Sequence, residues 1–268
     1  MVQFTKQAKS NQAHLQTWQD RGLIIPDFVR ADRYLSFIGY YRLSAYTIPF
    51  QQTITAHSSI LHQFKANTTF DDVLNLYIFD RELRLLIMDA IERIEVAIRA
   101  QICNVLCDQS GNAFWYTDEQ HFSHNYAHMR LLASIERQLM DEKSRLERDE
   151  KAIDKRPLSQ ADKDVLKDKV RKENFLRHYL SKYDSPKLLP SWMMIEMLTW
   201  GELSHLYVGL KSNQAKKQIA QNLGIHAEVL ESWLKSLNDV RNLCAHHSRL
   251  WNKEHGRSIK IPTSNTIQ

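Results

Sequence analysis

Glycine and proline are scarce in this chain, seven and six in 268 residues. That scarcity argues against a fold of many short strands, which needs frequent turn residues. Three cysteines, Cys103, Cys107 and Cys244, make an odd number with no dense framework, and they read as free thiols of a reducing compartment. No run of about 18 apolar residues offers a membrane span. The opening stretch MVQFTKQAKSNQAHLQ has no apolar signal core. The expectation is a soluble, intracellular, cytoplasmic protein without a membrane partner. Neither a G-x4-G-K-[ST] loop nor a G-x-G-x-x-G turn occurs, so nucleotide-cofactor chemistry has no support and no cofactor is expected.

What is present is helical text. The clearest run is Asp71 to Leu106, where Leu83, Ile87, Ala90, Ile91, Ile94, Ala97, Ile98, Ile102 and Val105 recur at steps of three and four. Ser110 and Gly111 should end it. Upstream, ADRYLSFIGYYRLSAYTIPF predicts a helix from Ala31 that breaks at Gly39, before a cluster of Tyr40, Tyr41 and Tyr46 of the kind that fills a core corner. Between Ser134 and Asp184 the text turns to dense charge of both signs, with Leu and Ala at helical spacing. It predicts an exposed helical hairpin that turns at Pro157 and Ser159. This stretch, 134–184, reads as an insertion into one domain spanning 1–268, since single domains reach this size range. Further on, SWMMIEMLTWGELSHLY is an amphipathic helix interrupted at Gly201, and KKQIAQNLG ends at Gly224, a C-cap. A last long helix runs from Ala227 to about Trp251, with Trp233, Leu237, Val240, Cys244 and Trp251 on its inward stripe.

The candidate chemistry sits on that last helix, in Arg241, Asn242, Leu243, Cys244, Ala245, His246, His247, Ser248 and Arg249, an R-x4-H spacing with a polar residue after the arginine. On an ideal helix Asn242, His246 and Arg249 fall in one narrow arc, while Arg241 lies about 140° from His246. Sharing one phosphate then takes arginine reach, helix distortion or a second protomer, which favours a composite site in a homodimer. His247 continues the packed stripe, so His246 is the preferred reactive histidine. These residue types suit metal-independent RNA cleavage by the ribose 2′-hydroxyl. Histidine takes or gives the proton, Arg241 holds and stabilises the phosphate as a permanent fork, and Asn242 orients. A solvated polar face with ordinary caps carries the same residues. The net charge of +5 allows weak attraction to phosphate polymers without demonstrating it.

Five blocks in order, RGLIIPD, FIGYYRLSAY, FDRELRLLIMDAIERIEVAIRAQI, SWMMIEMLTWGELSHLY and SWLKSLNDVRNLCAHHSRLWN, carry a resemblance wider than the motif. Over most of its length the chain resembles the Abi-like family of AbiD- and AbiF-type abortive-infection proteins. Through it the chain is similar to the HEPN superfamily. The resemblance implies an all-α, HEPN-like helical bundle that dimerises, with Arg241, Asn242 and His246 at the positions of the R-x4-H ribonuclease motif. It further implies a phage-defence effector or toxin, with an RNA substrate and an RNA or protein antitoxin. His247 and Arg249, and Arg84, Glu95 and Arg99 on the polar side of the long helix beside Glu92, are the expected supporting or RNA-binding residues. An ordinary Glu95–Arg99 ion pair is the simpler account of the latter two. The competing functional reading is a non-catalytic RNA-binding or regulatory module. A third is a structural interaction protein built around the charged hairpin.

Two other signals are set aside. His121, His124 and His128 have a spacing that superficially suggests zinc, but no matching Cys or carboxylate set follows, and no metal site is expected. Cys103 and Cys107, like Met193, Met194 and Met197, read as core packing at helical spacing.

Overall fold

The computed structural model describes Gln3 and residues 7–54, 59–254, 256 and 258–263, with side chains at all of these except 53, 54 and 59–61. Of the opening stretch read above for a leader, Met1, Val2 and Phe4–Lys6 lie outside that description.

The fold is a helical bundle. In chain order α1 (Asn11–Asp20), α2 (Phe28–Ile38) and α3 (Tyr40–Ser44) precede a short antiparallel hairpin, β1 (Gln51–Ile54) and β2 (Ser59–Phe64). Then come α4 (Phe70–Ser110), α5 (His128–Asp154), α6 (Gln160–Arg171), α7 (Phe175–Lys182), α8 (Ser191–Met194), α9 (Trp200–Gly209), α10 (Asn213–Asn222) and α11 (Ala227–Ala245). The β-hairpin departs from the all-helical expectation. It pairs Gln51 with Phe64 and Thr53 with Ile60, in a stretch too short to show a clear period. No helix among the described residues is long and apolar enough to cross a membrane.

Many helix starts are written locally. Ser10, Asp27, Ser159, Asn174 and Ser212 each accept a backbone N–H of the first turn of the helix they precede, satisfying donors that have no intrahelical partner. Gly39, at φ 85°, separates α2 from α3, a backbone conformation open to glycine at little cost. The interruption expected at Gly201 falls earlier, at Leu198–Thr199. There Thr199 and Glu202 form a reciprocal capping box that starts α9, and Gly201 lies inside its first turn.

Two compact units are present. The first takes in residues up to Asp89 and returns at Arg241–Glu254; the second takes in Ala90–Val240 and the described part of the tail. The core of the first unit includes Leu15, Trp18, Leu35, Leu43, Tyr46, Phe70 and Leu74. Of the predicted tyrosine cluster only Tyr46 is buried. Tyr40 stacks on His14 at 3.6 Å and Tyr41 is 91% exposed.

In the second unit Ile98, Ile102, Trp115, Tyr116, Leu203, Tyr207 and Leu234 are buried. The Trp200 indole donates to the Leu234 carbonyl at 2.9 Å, and Tyr207 to that of Lys216 at 3.1 Å. The charged text folds as α5, α6 and α7, with a turn through Pro157 and Ser159. Its charges are organised. Buried Arg177 meets Glu142 at 2.7 Å, Asp149 at 2.9 Å and Glu173 at 2.6 Å, while Arg171 reaches Glu150. The Arg177 guanidinium beside it holds the Glu142 carboxyl below its ordinary pKa.

Candidate functional site

Helix α11 ends at Ala245, six residues before the expected boundary. The reason is a Schellman turn: Ser248 N–H returns to the Leu243 carbonyl at 2.9 Å and His247 N–H to that of Cys244 at 3.0 Å. His247 takes the left-handed position at φ 55°, where glycine is usual. Two expectations change with this ending. Arg249 no longer shares a helical arc with Asn242 and His246, and His247, expected on the packed stripe, is exposed.

His246 stays in helical register, its N–H bonded to the Asn242 carbonyl at 3.0 Å. Its imidazole is exposed, and Arg241 and Asn242 are half-exposed. Among the described residues the guanidinium of Arg241, the amide of Asn242 and the imidazole of His246 meet no hydrogen-bonding side chain. Five residues apart at about 100° each, Arg241 and His246 point about 140° apart around one helix end. Cys244 points inward, and burial pushes its thiol up.

The segment after the helix is held from the other side by four residues of the same unit. Asp80, fully buried on α4, accepts the backbone N–H of Trp251 at 2.7 Å and that of Leu250 at 3.2 Å. The same carboxylate accepts the Tyr46 hydroxyl at 2.6 Å and pairs with Arg84. Burial, and then the hydrogen bond to Asp80, push the Tyr46 phenol up to about 12, so it is a donor at neutral pH. Arg84, 6% exposed, also reaches the Ser248 carbonyl at 3.3 Å. Arg42 of α3 donates to the His247 carbonyl, and Arg249 donates to the Ala45 carbonyl at 2.7 Å.

A buried carboxylate is tolerable only when its lone pairs are filled. Here two main-chain donors, a hydroxyl and a guanidinium fill them. Three of the five blocks quoted from the sequence, around Tyr46, around Asp80 and around His246, thus meet in one network.

Sequence reasoning placed Arg84 near the motif, and it is there, though it is spent on Asp80 and a carbonyl and is not free for RNA. It missed Asp80, Tyr46 and Arg42. Glu95 and Arg99 belong to the second unit. There they pair, and the buried Arg99 donates to the carbonyls of Ile195 and Leu198, so the ordinary ion pair describes them. Glu92 is exposed. The three histidines weighed for zinc share no helix: His121 lies against Trp115, His124 is exposed, and buried His128 bonds the Tyr116 carbonyl at 2.8 Å. No cluster of three or more His, Cys, Asp or Glu side chains is placed to hold a metal ion among the described residues. Cys103 and Cys107 approach Ser191, at 3.7 and 3.1 Å, and burial pushes the Cys103 thiol up.

Comparisons with curated proteins and with solved structures return no match. The profile of one family, described as Abi-like protein, matches residues 33–252, which contain the whole Asp80 network and the R-x4-H segment. The chain therefore belongs to the Abi-like protein family.

Proposed function

We propose that this protein is a metal-independent endoribonuclease of the HEPN type, acting as a phage-defence effector or toxin. The observation that carries the reading is the pairing of two features in one unit: unpartnered Arg241, Asn242 and His246 at a helix end, and a buried network that fixes the turn beside them. His246 transfers the proton. Arg241 grips the phosphate and stabilises the charge that develops there, and Asn242 orients one or the other. The ribose 2′-hydroxyl attacks its own phosphorus, the 5′-oxygen leaves with a proton, and the strand ends as a cyclic phosphate.

Because Arg241 and His246 diverge around the helix, this reading completes the site from two copies in a homodimer. His247 acts beside it with its main-chain carbonyl held by Arg42, and Arg249 with its guanidinium held on the Ala45 carbonyl. The HEPN-like bundle, the excursion at 134–184, a cytoplasmic setting and restraint by an RNA or protein antitoxin belong to the same reading.

One observation favours a second reading, a non-catalytic RNA-binding or regulatory module: among the described residues no side chain orients the His246 imidazole. The test is incubation of wild-type and His246→Ala protein with cellular RNA in excess EDTA, with end-group analysis. Cyclic phosphate ends from the wild type alone are expected. Cleavage by a well-folded His246→Ala protein would remove the assignment. Binding without cleavage by either protein would favour the module.

A further inference from the structure

The second unit holds a groove of about 750 Å³, none of whose lining residues is assigned a functional role above, between the turn before α5, the first turns of α5 and helix α9. Asn125, Tyr126, Arg130, Ser134, Arg137 and His205 line it. Arg130 and Arg137 are seven residues apart, so they stand on the same face of α5 about 10 Å apart along its axis. Both are exposed, and among the described residues neither has an ion pair or a side-chain hydrogen bond. By contrast Arg30, Arg84, Arg99, Arg145, Arg171 and Arg177 all face carboxylates.

Glu202, the carboxylate of the groove, is already engaged. It accepts the N–H and hydroxyl of Thr199 at 2.8 and 2.9 Å and the Ser134 hydroxyl at 3.2 Å. The lining is net positive. Tyr126, stacked on Phe122 at 4.7 Å, forms an aromatic wall. Burial pushes its phenol up to about 12, so it offers a donor at neutral pH. Every free polar group the groove presents is thus a guanidinium, an amide, an imidazole or a protonated hydroxyl, set against an aromatic ring.

We propose that this groove binds the phosphodiester backbone of single-stranded RNA, with Arg130 and Arg137 on different phosphates of one strand. A span of about 10 Å along α5 lets the two forks reach different phosphates of one strand. Unpaired arginine forks beside an aromatic ring are the combination that tracks a single strand without reading its sequence. The choice of RNA as the polyanion rests on the function proposed above; the groove itself does not.

The test is fluorescence anisotropy of a labelled single-stranded oligoribonucleotide on full-length protein. The background is His246→Ala, so that the probe survives, and the salt concentration is varied. Arg130→Ala/Arg137→Ala should weaken binding about tenfold or more, and should lower the slope of log affinity against log salt by about 1.4, two phosphates at about 0.7 each. Arg130→Lys/Arg137→Lys should keep most of that slope. Both positions are exposed, so thermal melting of the variants should match the parent. Photo-crosslinking with 4-thiouridine RNA should mark the peptide from Asn125 to Arg137.

Unchanged affinity and slope in the double alanine variant, or crosslinks elsewhere only, would overturn the proposal. So would competition by AMP or inorganic phosphate as effective as the oligonucleotide, which would make the groove a site for a free phosphate compound. The two proposals fail separately. A protein that cleaves but binds as before without the two arginines loses the groove alone, and one that binds through them yet never cleaves loses the ribonuclease alone.

Discussion

The carboxylate of Asp80 accepts the backbone N–H of Trp251 at 2.7 Å, joining positions 171 residues apart. Asp80 has no exposed surface, and its side-chain partners, Tyr46 and Arg84, are themselves buried. The relationship ties the segment that follows His246 to the long helix, and it accounts for a charged pair in the interior of the first unit. Removing one member of such a pair leaves the other charge buried and uncompensated.

Asp80→Ala should therefore cost about 3–5 kcal/mol of stability, read by urea unfolding. Asp80→Asn keeps an acceptor for the Trp251 N–H but not the charge that Arg84 faces, and should fall between the two. Equal stability of Asp80→Ala and wild type would show that the network contributes nothing net.

At His247 the backbone is left-handed, with φ 55°, which costs a side-chain-bearing residue roughly 1–2 kcal/mol, partly offset for glycine by its larger entropy loss. His247→Gly should raise stability by about 1 kcal/mol or less, and His247→Val should lower it. Thermal unfolding measures both. RNA cleavage should survive His247→Gly, since the Arg42 bond is made to the main-chain carbonyl. Its loss in a stable His247→Gly protein would move the proton transfer from His246 to His247.

Acid should loosen the second unit through Glu142. Hydrogen bonding to Arg177 lowers the Glu142 pKa in the folded protein, so the charged form is the one the fold favours. The resulting stability is fully present above the unfolded glutamate value of about 4.3 and is lost as pH falls through the lower folded value. Glu142→Gln should be less stable at neutral pH and should show a flatter decline in melting temperature between about pH 6 and about pH 3. A decline as steep as that of wild type would place the acid sensitivity elsewhere.

Gly209 closes α9 against Tyr126, and a Cβ there would come within 2.8 Å of three of its ring atoms. Gly209→Ala should cost about 1–3 kcal/mol as an overpacking change, measured by chemical unfolding. Because Tyr126 walls the groove, the variant should also weaken oligonucleotide binding, an effect that Arg130→Ala produces without the loss of stability.

The helical reading of Asp71 to Leu106 matched α4 closely because its apolar residues repeat over many turns, and Ser110 and Gly111 ended it as expected. The break at Gly39 and the turn at Pro157–Ser159 were legible for a similarly local reason. The end of α11 was not. The residues after Ala245 continue a helical spacing, and what stops them is a Schellman turn at a histidine, held by Arg42, Arg84 and Asp80. Asp80 itself was invisible as a functional residue, since FDRELR on a helix reads as a solvated charged face. The hairpin Gln51–Phe64 was missed because two short strands show too little alternation to stand out.

The sequence by itself determined the helical class, most of the caps, and the order Arg241, Asn242, His246 on the terminal helix, because periodicity and capping act over a few residues. Only the tertiary structure decided which charges are buried and paired, where the last helix stops, and that Arg84 belongs to the network beside the motif while Glu95 and Arg99 belong to another unit. Those outcomes depend on which distant segments meet and on how a buried carboxylate fills its lone pairs. Local spacing carries no record of either.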